Sequence, residues 1–519
     1  MNIRLRNLFA LLVIVSGSCF KRDTEQPVAA ENETVITIHL DDKKQTIRNF
    51  GASDAWACNF IGVWPDEQRN QVADWLFSTA VDEEGKPKGI GLSLWRFNIG
   101  AGSAAQDNIA DEWRRTEGFL KDDLTYDWNK QAGQQWFLDA AKTRGVDQFV
   151  GFTNSPPVQL TKNKKAFSSD GQQANIAKEK YDAFAVFLAT VARHFQEKGI
   201  VLNYLSPFNE PQWDWTNGSQ EGTPYTNQEM FDITRKLDSI ISKENLPTKI
   251  QVAEAGSMVY LYGTSGKPTR SNQIEDFFSQ GSTRFLGGFN SVDKMISGHS
   301  YFTSAPVKDM ISVRQLVNQK IKSVSVPLEF WQSEYCILGD QEEVPGPGKD
   351  TGMVPALYVA RLIHHDLTVA NASAWHWWTS LSVYDYKDGL VYADKNKTTG
   401  KVEDTKLLWA FGNFSRFIRP GAQRVEVTSA KVNINNPVGL MASSYVNAAN
   451  NEVVTVIINY SNIDETLRLD MPTGTAGASQ LFITSGKAGE DLKPLNKIDG
   501  TEAFQVPKTS IVTLVTKLL

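Results

Sequence analysis

Cysteine is scarce in this chain, with three residues among 519. Cys19 directly follows an N-terminal leader, so a disulfide framework is excluded and at most one bridge, between Cys58 and Cys336, can form. Both of these cysteines lie just beyond the ends of predicted strands, where packing accounts for a cysteine. We therefore expect two buried free thiols.

A large charge excess is also missing. The sequence has 53 Lys and Arg residues against 59 Asp and Glu residues, which gives a formal net charge of −6. Because nucleic-acid-binding domains carry a basic patch, this mild acidity argues against nucleic acid as a partner. Long apolar runs are absent after the leader, where no stretch is long enough to span a bilayer.

The leader covers residues 1–18. It has two arginines among its first six residues, then an apolar run, then small residues directly before Cys19, which is the pattern of an export signal. The position of Cys19 resembles a bacterial lipoprotein signal, in which this cysteine is lipidated; plain secretion is the alternative. Residues 19–34 are polar and predict a flexible tether. We expect an exported protein with a lipid anchor, on the cell surface or in the periplasm.

The length of 519 residues exceeds the roughly 250 residues of a typical (β/α)8 barrel, so a second domain is predicted. From residue 48, short apolar strands that end in polar residues alternate with helical segments, which is typical of such a barrel. The eight predicted strands are 48–53, 92–98, 148–154, 202–209, 249–254, 295–301, 328–334 and 372–379. The predicted helices are 66–79, 130–144, 174–198, 227–243, 272–280, 307–319, 353–370 and 405–417.

Beyond residue 420 the helical pattern disappears. Short strands separated by Asn, Gly, Asp and Pro turns predict an antiparallel β-sandwich over 421–519, with strands at 425–427, 440–446, 453–458, 480–484 and 511–515. The β-branched segment 35–47 is expected to join this domain. The predicted fold is therefore α/β, a (β/α)8 TIM barrel over 48–420 with an antiparallel β-sandwich side domain.

Two acids end predicted barrel strands, Glu210 at the fourth and Glu334 at the seventh. Because the carboxyl ends of the strands meet at one mouth of a barrel, we expect the two side chains to lie close together. Cleavage of a glycosidic bond needs such a pair, one acid to protonate the leaving oxygen and one carboxylate to attack the sugar. The alternative is that both are surface salt-bridge partners. The 14 tryptophans either fill the core or stack on sugar rings.

Several motifs, in their order along the chain, resemble those of glycoside hydrolase family 30. These motifs are Asn49-Phe-Gly-Ala-Ser-Asp-Ala55, Trp95 to Ser103, Asn154-Ser-Pro-Pro157, Asn209-Glu-Pro211, Gln332-Ser-Glu-Tyr-Cys336 and Phe414 to Gly421. Within that family the chain is most similar to the endo-β-1,6-galactanase branch, through Gly91 to Gly100, Trp113-Arg-Arg, Gln131 to Trp136 and Phe208 to Trp215. The ordered set carries the resemblance, since each motif alone is short.

The resemblance implies a barrel whose acid/base ends strand four and whose nucleophile ends strand seven, with a side sandwich built from both termini. Glu210 would be the acid/base and Glu334 the nucleophile, which implies retention of configuration and carboxyl groups about 5–5.5 Å apart. Arg96 and Tyr301 match positions that hydrogen-bond the nucleophile, and Asn209 matches the residue that binds the 2-hydroxyl of the sugar. Because two close like charges cannot both ionise cheaply, Glu210 is expected to be the protonated partner.

Further sugar contacts are predicted at other strand ends, namely Asp54, Asn154, Trp213 and Trp378. The alternatives are that Asp54 caps a turn, that Asn154 shapes its loop and that the tryptophans belong to the core. Glu254 also ends a strand, where an accessory structural role is expected.

Other motifs do not indicate a site. The run His364-His-Asp366 lies in a helical pattern without metal-ligand spacing, so a solvated helix face is predicted. The segment Gly263-Thr-Ser-Gly-Lys267 has the wrong spacing for a phosphate loop. We infer no metal and no organic cofactor, and expect a monomer.

The expected activity is that of a retaining endo-hydrolase of β-1,6-linked galactan, such as arabinogalactan side chains. The alternatives within the same family are a β-1,6-glucanase and a glucuronoxylanase, which would use the same two acids on a different sugar. A carbohydrate-binding surface protein without turnover is the alternative from another class. Endo or exo action would depend on the rim loops 104–123, 216–226 and 340–350.

Overall fold

The computed structural model describes residues 33–339, 341–434 and 436–519. The predicted export signal, Cys19 and residues 19–32 of the predicted tether lie outside the described residues. Within the described ranges, no helix has the length and apolar character needed to cross a membrane.

Strands and helices follow one another along most of the described chain. The strands are β1 (Glu33–Thr46), β2 (Asn49–Ser53), β3 (Leu94–Asn98), β4 (Gln148–Phe152), β5 (Tyr204–Ser206), β6 (Lys249–Ala255), β7 (Val292–His299), β8 (Glu329–Glu334), β9 (Ala374–Trp377), β10 (Leu381–Ser382), β11 (Val391–Ala393), β12 (Val402–Asp404), β13 (Gln423–Thr428), β14 (Leu440–Asn447), β15 (Glu452–Asn459), β16 (Glu465–Asp470), β17 (Ala476–Ser485), β18 (Lys493–Pro494), β19 (Ile498–Asp499), β20 (Phe504–Val506) and β21 (Ser510–Leu518). The helices are α1 (Cys58–Ile61), α2 (Asp66–Phe77), α3 (Ala132–Thr143), α4 (Tyr181–Glu197), α5 (Asn227–Glu244), α6 (Val259–Tyr262), α7 (Gln273–Phe278), α8 (Val307–Ser323), α9 (Met353–Thr368) and α10 (Lys406–Ser415).

Strands β2 to β9 form a closed barrel in which each strand pairs with the next in the chain. All the pairings are parallel, and β2 pairs with β9 to close the ring. The strands are short and apolar because both of their faces are covered, one by the barrel interior and the other by helices. The predicted (β/α)8 barrel with an antiparallel sheet domain is thus confirmed, and the eight predicted barrel strands occur in the predicted order.

Helix α4 begins later than predicted, at Tyr181 rather than at residue 174. The backbone N–H of Ala174 donates to the Glu229 carboxylate, and that of Asn175 donates to the Thr223 hydroxyl. Because these two N–H groups donate to side chains, they do not form the backbone hydrogen bonds of a helix. The Glu229 carboxylate also completes the capping box at the start of α5.

The second domain is one curled sheet of ten strands rather than two separate sheets. Strand β1 pairs antiparallel with β13 and parallel with β16, so the N-terminal segment lies inside this sheet. It begins at Glu33, two residues before the predicted start. Strand β17 lies near one end of the sheet and β20 at the other end, and apolar residues of both share one core.

The barrel and the sheet share a continuous hydrophobic core. At their contact, Thr513 of β21 donates its hydroxyl to the backbone carbonyl of Asn413 in α10, at 3.0 Å. Lys406 at the start of α10 pairs with Asp491 at 2.6 Å.

Helix α9 corrects one prediction, because His364, His365 and Asp366 are buried rather than solvated. The helix packs against β14 and β15 of the sheet domain as well as against the barrel. Asp366 lies 2.7 Å from Nε of Arg314 and accepts a hydrogen bond from Nε1 of Trp375 at 2.8 Å. The run therefore belongs to the structural core.

Candidate active site

A cleft of about 810 Å³ lies at the mouth where the barrel strands end. Most of its lining side chains come from the loops that follow β2, β3, β5, β7, β8 and β9. The lining residues are Trp56, Arg114, Asn209, Glu210, Trp213, Asp214, Trp215, Thr216, Asn217, Gln220, Tyr301, Phe302, Glu334, Cys336, Leu338, Trp378, Tyr384, Asp385, Tyr386 and Asp388.

Glu210 lies four residues beyond β5 in a tight turn, where its own φ of 45° is left-handed. Its backbone N–H donates to the carbonyl of Glu254 at 2.9 Å, so the turn is tied to the end of β6. Its carbonyl accepts from the backbone N–H of Trp213 at 3.2 Å and from Nε1 of Trp215 at 3.1 Å. These bonds fix the turn that carries the carboxyl group.

Glu334 is the last residue of β8, and its side chain is buried. Nη1 of Arg96 donates to one carboxylate oxygen at 2.5 Å, and the hydroxyl of Tyr301 donates to the other at 3.1 Å. Each carboxylate oxygen of Glu334 therefore accepts from a fixed donor, which orients the side chain.

The structure brings the two acids together. One carboxylate oxygen of Glu210, one of Glu334 and a ring nitrogen of His299 all lie within 4.8 Å of one another. The gap between the two carboxylates is thus of the size that admits one anomeric carbon.

His299, the last residue of β7, is a site residue that the sequence analysis missed. Its Nδ1 lies 3.0 Å from Oε1 of Glu210, and its Nε2 lies 2.9 Å from Oε2 of Glu254. The alternation of side chains along a strand could have identified His299, because it precedes Tyr301 by two positions and side chains two apart point to the same side of a strand.

The ionisation of these groups follows from burial and from their neighbours. Burial lowers the pKa of His299, but the charge of Glu334 and the contacts with Glu210 and Glu254 outweigh burial and raise it to about 10. Burial raises the pKa of Glu210 above its ordinary value, although His299 opposes that rise. Burial also opposes ionisation of Glu254, yet Arg96 and His299 lower its pKa to about 2. The cluster thus holds an imidazolium between an ionised acid and an acid with a raised pKa.

Glu210, His299 and Glu334 are near enough to share an ion. An ion there would have to displace a proton from His299, because only a neutral imidazole offers a lone pair to a metal.

Arg96 connects the remaining polar groups. Its Nη2 donates to Oδ1 of Asn209 at 3.1 Å and to Oε2 of Glu254 at 3.3 Å. Asn209 lines the cleft, whereas Glu254 is fully buried below it. The position of Glu254 fits an accessory carboxylate.

Both predicted tryptophans line the cleft. Trp213 packs edge-to-face against Phe302, with ring centroids 5.8 Å apart. Trp378 packs in the same way against Trp56, at 5.3 Å. Phe302 and Trp56 were missed by the sequence analysis, because an aromatic residue in a loop carries no periodic signal.

Asp54 and Asn154 do not line the cleft. Asp54 is fully buried and accepts the backbone N–H of Asn98 at 2.8 Å, so it links the ends of β2 and β3. Burial raises its pKa to about 7. Asn154 is 1% exposed. That these two side chains contact sugar stays a prediction.

The two cysteines are buried free thiols, as predicted. The hydroxyl of Tyr301 lies 3.8 Å from Sγ of Cys336, and Cys58 lies 3.9 Å from the Ser380 hydroxyl.

Known proteins are similar to this chain over most of its length. An endo-β-1,6-galactanase from Hypocrea rufa is 26% identical over 477 residues, covering 87% of this chain and 86% of its own. A glucuronoxylanase from Bacillus subtilis is 24% identical over 506 residues, 94% of this chain and 93% of its own. The crystal structure of a conserved exported protein from Bacteroides fragilis is similar with a TM-score of 0.87 and 36% identity, covering 93% of this chain and 100% of that one.

The family model described as O-glycosyl hydrolase family 30 matches residues 33–392, which is more than half of the chain and includes both carboxylates. The protein is therefore a glycoside hydrolase and belongs to family 30.

Proposed function

We propose that the protein is a retaining hydrolase of β-1,6-linked galactan, with Glu210 as acid/base and Glu334 as nucleophile. The observation that carries this proposal is the spacing of the two carboxylates, whose nearest ligand oxygens lie within 4.8 Å. An inverting enzyme needs a gap of about 6.5–9.5 Å to fit a water between its acids, whereas a retaining enzyme needs about 5–5.5 Å.

The environments of the two acids support different roles. Glu334 accepts from Arg96 and Tyr301, so its side chain is held in place and oriented for attack on the anomeric carbon. Glu210 has a raised pKa because it is buried, so it can carry the proton that the leaving oxygen needs.

The reaction then takes two steps. The Glu334 carboxylate attacks the anomeric carbon while Glu210 gives its proton to the glycosidic oxygen, and the leaving sugar departs. The carboxylate of Glu210 next removes a proton from water, which attacks the same carbon and releases Glu334. Two displacements on one carbon retain its configuration.

Asn209 is proposed to bind the 2-hydroxyl of the attacked sugar. Its amide oxygen accepts from Arg96, so the amide NH₂ remains to donate toward the cleft. A contact of this kind strengthens as charge develops on the sugar in the transition state. Trp213 and Trp378 are proposed to pack against sugar rings from the cleft wall.

The choice of galactan rests on the resemblance of the motifs and on the Hypocrea rufa relative. The Bacillus subtilis relative keeps glucuronoxylan as a second candidate. Galactose and glucose differ in the orientation of one hydroxyl, so β-1,6-glucan is the third substrate to compare.

We also propose export with a lipid anchor at Cys19. Both parts rest on the leader sequence, and the similarity to an exported protein of Bacteroides fragilis supports export alone.

The test is incubation with debranched β-1,6-galactan, β-1,6-glucan and glucuronoxylan, followed by sizing of the products, with Glu334→Ala as the blank. Galactose oligomers that are absent with the blank are expected. Cleavage of glucan or glucuronoxylan alone would reassign the substrate, and binding without any cleavage would point to a carbohydrate-binding surface protein. A series of product lengths at early times indicates endo action.

A further inference from the structure

A cavity of about 420 Å³ lies between helix α9 of the barrel and strands β13 and β14 of the sheet domain, and we call it the junction cavity. None of the described residues that line it also lines the cleft. His364 and Thr368 are four positions apart in α9, so they lie on one face of that helix. Arg424 and Glu426 are two apart in β13 and point to one side of it, whereas Val425 packs in the core of the sheet domain. Both domains thus build the junction cavity.

Arg424 brings a buried positive charge to this cavity. The residue is 6% exposed, and burial lowers the pKa of its guanidinium. Its Nε donates to the amide oxygen of Gln45 at 2.8 Å, and its Nη2 donates to that of Asn371 at 3.3 Å. Both acceptors are neutral. Nη1 makes no hydrogen bond within the described chain, so one donor group of a buried cation is left without an acceptor.

Glu426 is the one acid among the described residues that line the junction cavity. Its carboxylate lies 4.0 Å from Nη1 of Arg424, which is beyond hydrogen-bond distance, and 3.3 Å from Nζ of Lys44. The side chain of Glu426 is 38% exposed, so solvent screens its charge. The charge of Arg424 is therefore not neutralised inside the cavity.

His364 is a second polar group without a partner in this cavity. It is 8% exposed, and its Nδ1 has no hydrogen-bond partner among the described residues. Burial, His365 and the charge of Arg424 hold the pKa of His364 well below its ordinary value. The ring is therefore neutral, with one N–H that can donate. Buried polar groups in proteins are nearly always hydrogen-bonded, so this imidazole calls for an acceptor from outside the chain.

Ser443 adds a third donor. Its hydroxyl oxygen accepts from the hydroxyl of Tyr445 at 3.2 Å, which leaves the hydrogen of Ser443 available to donate. Ser443 lines the junction cavity from β14. A guanidinium, an imidazole N–H and a hydroxyl thus converge on one space with a net positive charge.

We propose that the junction cavity binds a small oxyanion, either inorganic phosphate or the carboxylate of a uronic acid. Both offer negative charge and several acceptor oxygens, which is the chemistry that a guanidinium binds best. The volume of the cavity lies within the range of small-molecule sites, about 300–1,000 Å³. An anion held there would link α9 to β13 and would stabilise the folded chain by mass action.

The experiment is isothermal titration calorimetry of the full chain in a buffer that contains no other oxyanion. The three titrants are sodium phosphate, sodium glucuronate and galactose, which is a neutral counterpart of the sugar acid. Arg424→Gln removes the positive charge but keeps an amide donor. Glu426→Gln removes the only acid among the described lining residues, so it should tighten binding, an effect that loss of stability cannot imitate.

Arg416 provides a matched control. It is also an arginine whose pKa is lowered by burial. Its Nη1 and Nη2 donate to the backbone carbonyls of residues 78, 79, 80 and 89, and it does not line the junction cavity. Arg416→Gln therefore removes a buried guanidinium without changing the proposed site.

We expect phosphate, glucuronate or both to bind with a Kd below about 1 mM, and galactose not to bind in that range. The anion that binds identifies the source of the ligand. Its affinity should fall at least about tenfold in Arg424→Gln, rise about threefold in Glu426→Gln and stay unchanged in Arg416→Gln.

The absence of binding by either anion up to about 10 mM would overturn the proposal, as would equal affinity in the native protein and Arg424→Gln. Glucuronate that binds in the cleft instead would give that second result. If Arg424→Gln does not fold, Glu426→Gln decides, and an affinity equal to the native value overturns the proposal. The proposed hydrolase activity is not part of this test, because the titration measures binding away from the cleft.

Discussion

Nδ1 of His299 lies 3.0 Å from Oε1 of Glu210. Burial raises the pKa of Glu210, and the hydrogen bond and positive charge of His299 limit that rise. The proposed acid therefore depends on a neighbouring cation for the pH at which it loses its proton.

Replacing His299 with Gln should move the basic limb of the pH profile upward. Loss of the cation removes the effect that lowers the pKa of Glu210, so Glu210 should stay protonated to a pH about one unit higher. The measurement is kcat/KM against pH. His376→Gln is the control, because burial holds the pKa of His376 at about 3 and it carries no charge at neutral pH. An unmoved limb in His299→Gln would contradict this account of Glu210.

The same histidine should link stability to pH. Its folded pKa is raised from 6.5 to about 10, so its stabilising contribution is complete below pH 6.5 and is lost as pH rises through about 10. The free energy of unfolding of the native protein should therefore exceed that of His299→Gln most at pH 6, and the difference should shrink toward pH 10. Urea unfolding at several pH values tests this, and a constant difference would count against a buried imidazolium.

Replacing Glu210 with Ala should slow the cleavage of natural substrates more than the cleavage of substrates with an activated leaving group. Without the acid, cleavage of a β-1,6-galacto-oligosaccharide should fall about 10²–10⁴-fold. Formation of the ester from a dinitrophenyl galactoside should fall far less, because that leaving group needs no proton. The burst of dinitrophenol measures this step. Equal losses with both substrates would argue against Glu210 as the acid.

Replacing Tyr301 with Phe tests whether the Tyr301 hydroxyl assists Glu334 in catalysis. The hydroxyl donates to Glu334 at 3.1 Å, and a hydrogen bond to a charged group contributes about 1.5–3 kcal/mol. We expect kcat to fall about 10- to 100-fold, and the melting temperature to fall as well because the buried carboxylate of Glu334 loses a donor. A large loss of stability with unchanged kcat would show that the hydroxyl serves packing.

Replacing Asp54 with Asn should leave catalysis intact. The folded pKa of Asp54 is raised from 3.8 to about 7 by burial, so its favourable contribution is complete below pH 3.8 and is lost as pH rises through about 7. Asn keeps an acceptor for the Asn98 N–H and does not titrate. The free energy of unfolding of Asp54→Asn relative to that of the native protein should therefore rise between pH 4 and pH 8, by on the order of 4 kcal/mol, since one pKa unit corresponds to about 1.4 kcal/mol. A large rise in KM would instead support the sugar contact predicted from sequence.

The fold could be predicted because it depends on patterns that each segment carries by itself. An apolar strand that ends in polar residues and precedes a helix can be recognised in the amino-acid sequence, and eight such units close a barrel. Glu210 and Glu334 were found for the same reason, since each comes at the end of a predicted strand and the carboxyl ends of all strands of a barrel face one mouth. Arg96 and Tyr301 were predicted from the resemblance to the family.

Burial could not be predicted as well, because it depends on what other elements cover a residue. Asp54 ends a strand as Glu334 does, yet it bonds to the end of β3 instead of facing the cleft. The run at His364 looks polar, but both the sheet domain and the barrel cover its helix.

The sequence by itself determined the barrel, the second β domain, the pair of acids and the membership of a glycoside hydrolase family. Only the tertiary structure decided that His299 bridges Glu210 and Glu254, that Phe302 stands beside Trp213 and that Asp54 is buried. The reason is that periodicity and motif order are local properties of the chain. A hydrogen bond, a pKa shift or an aromatic corner exists only between residues that folding brings within a few ångströms.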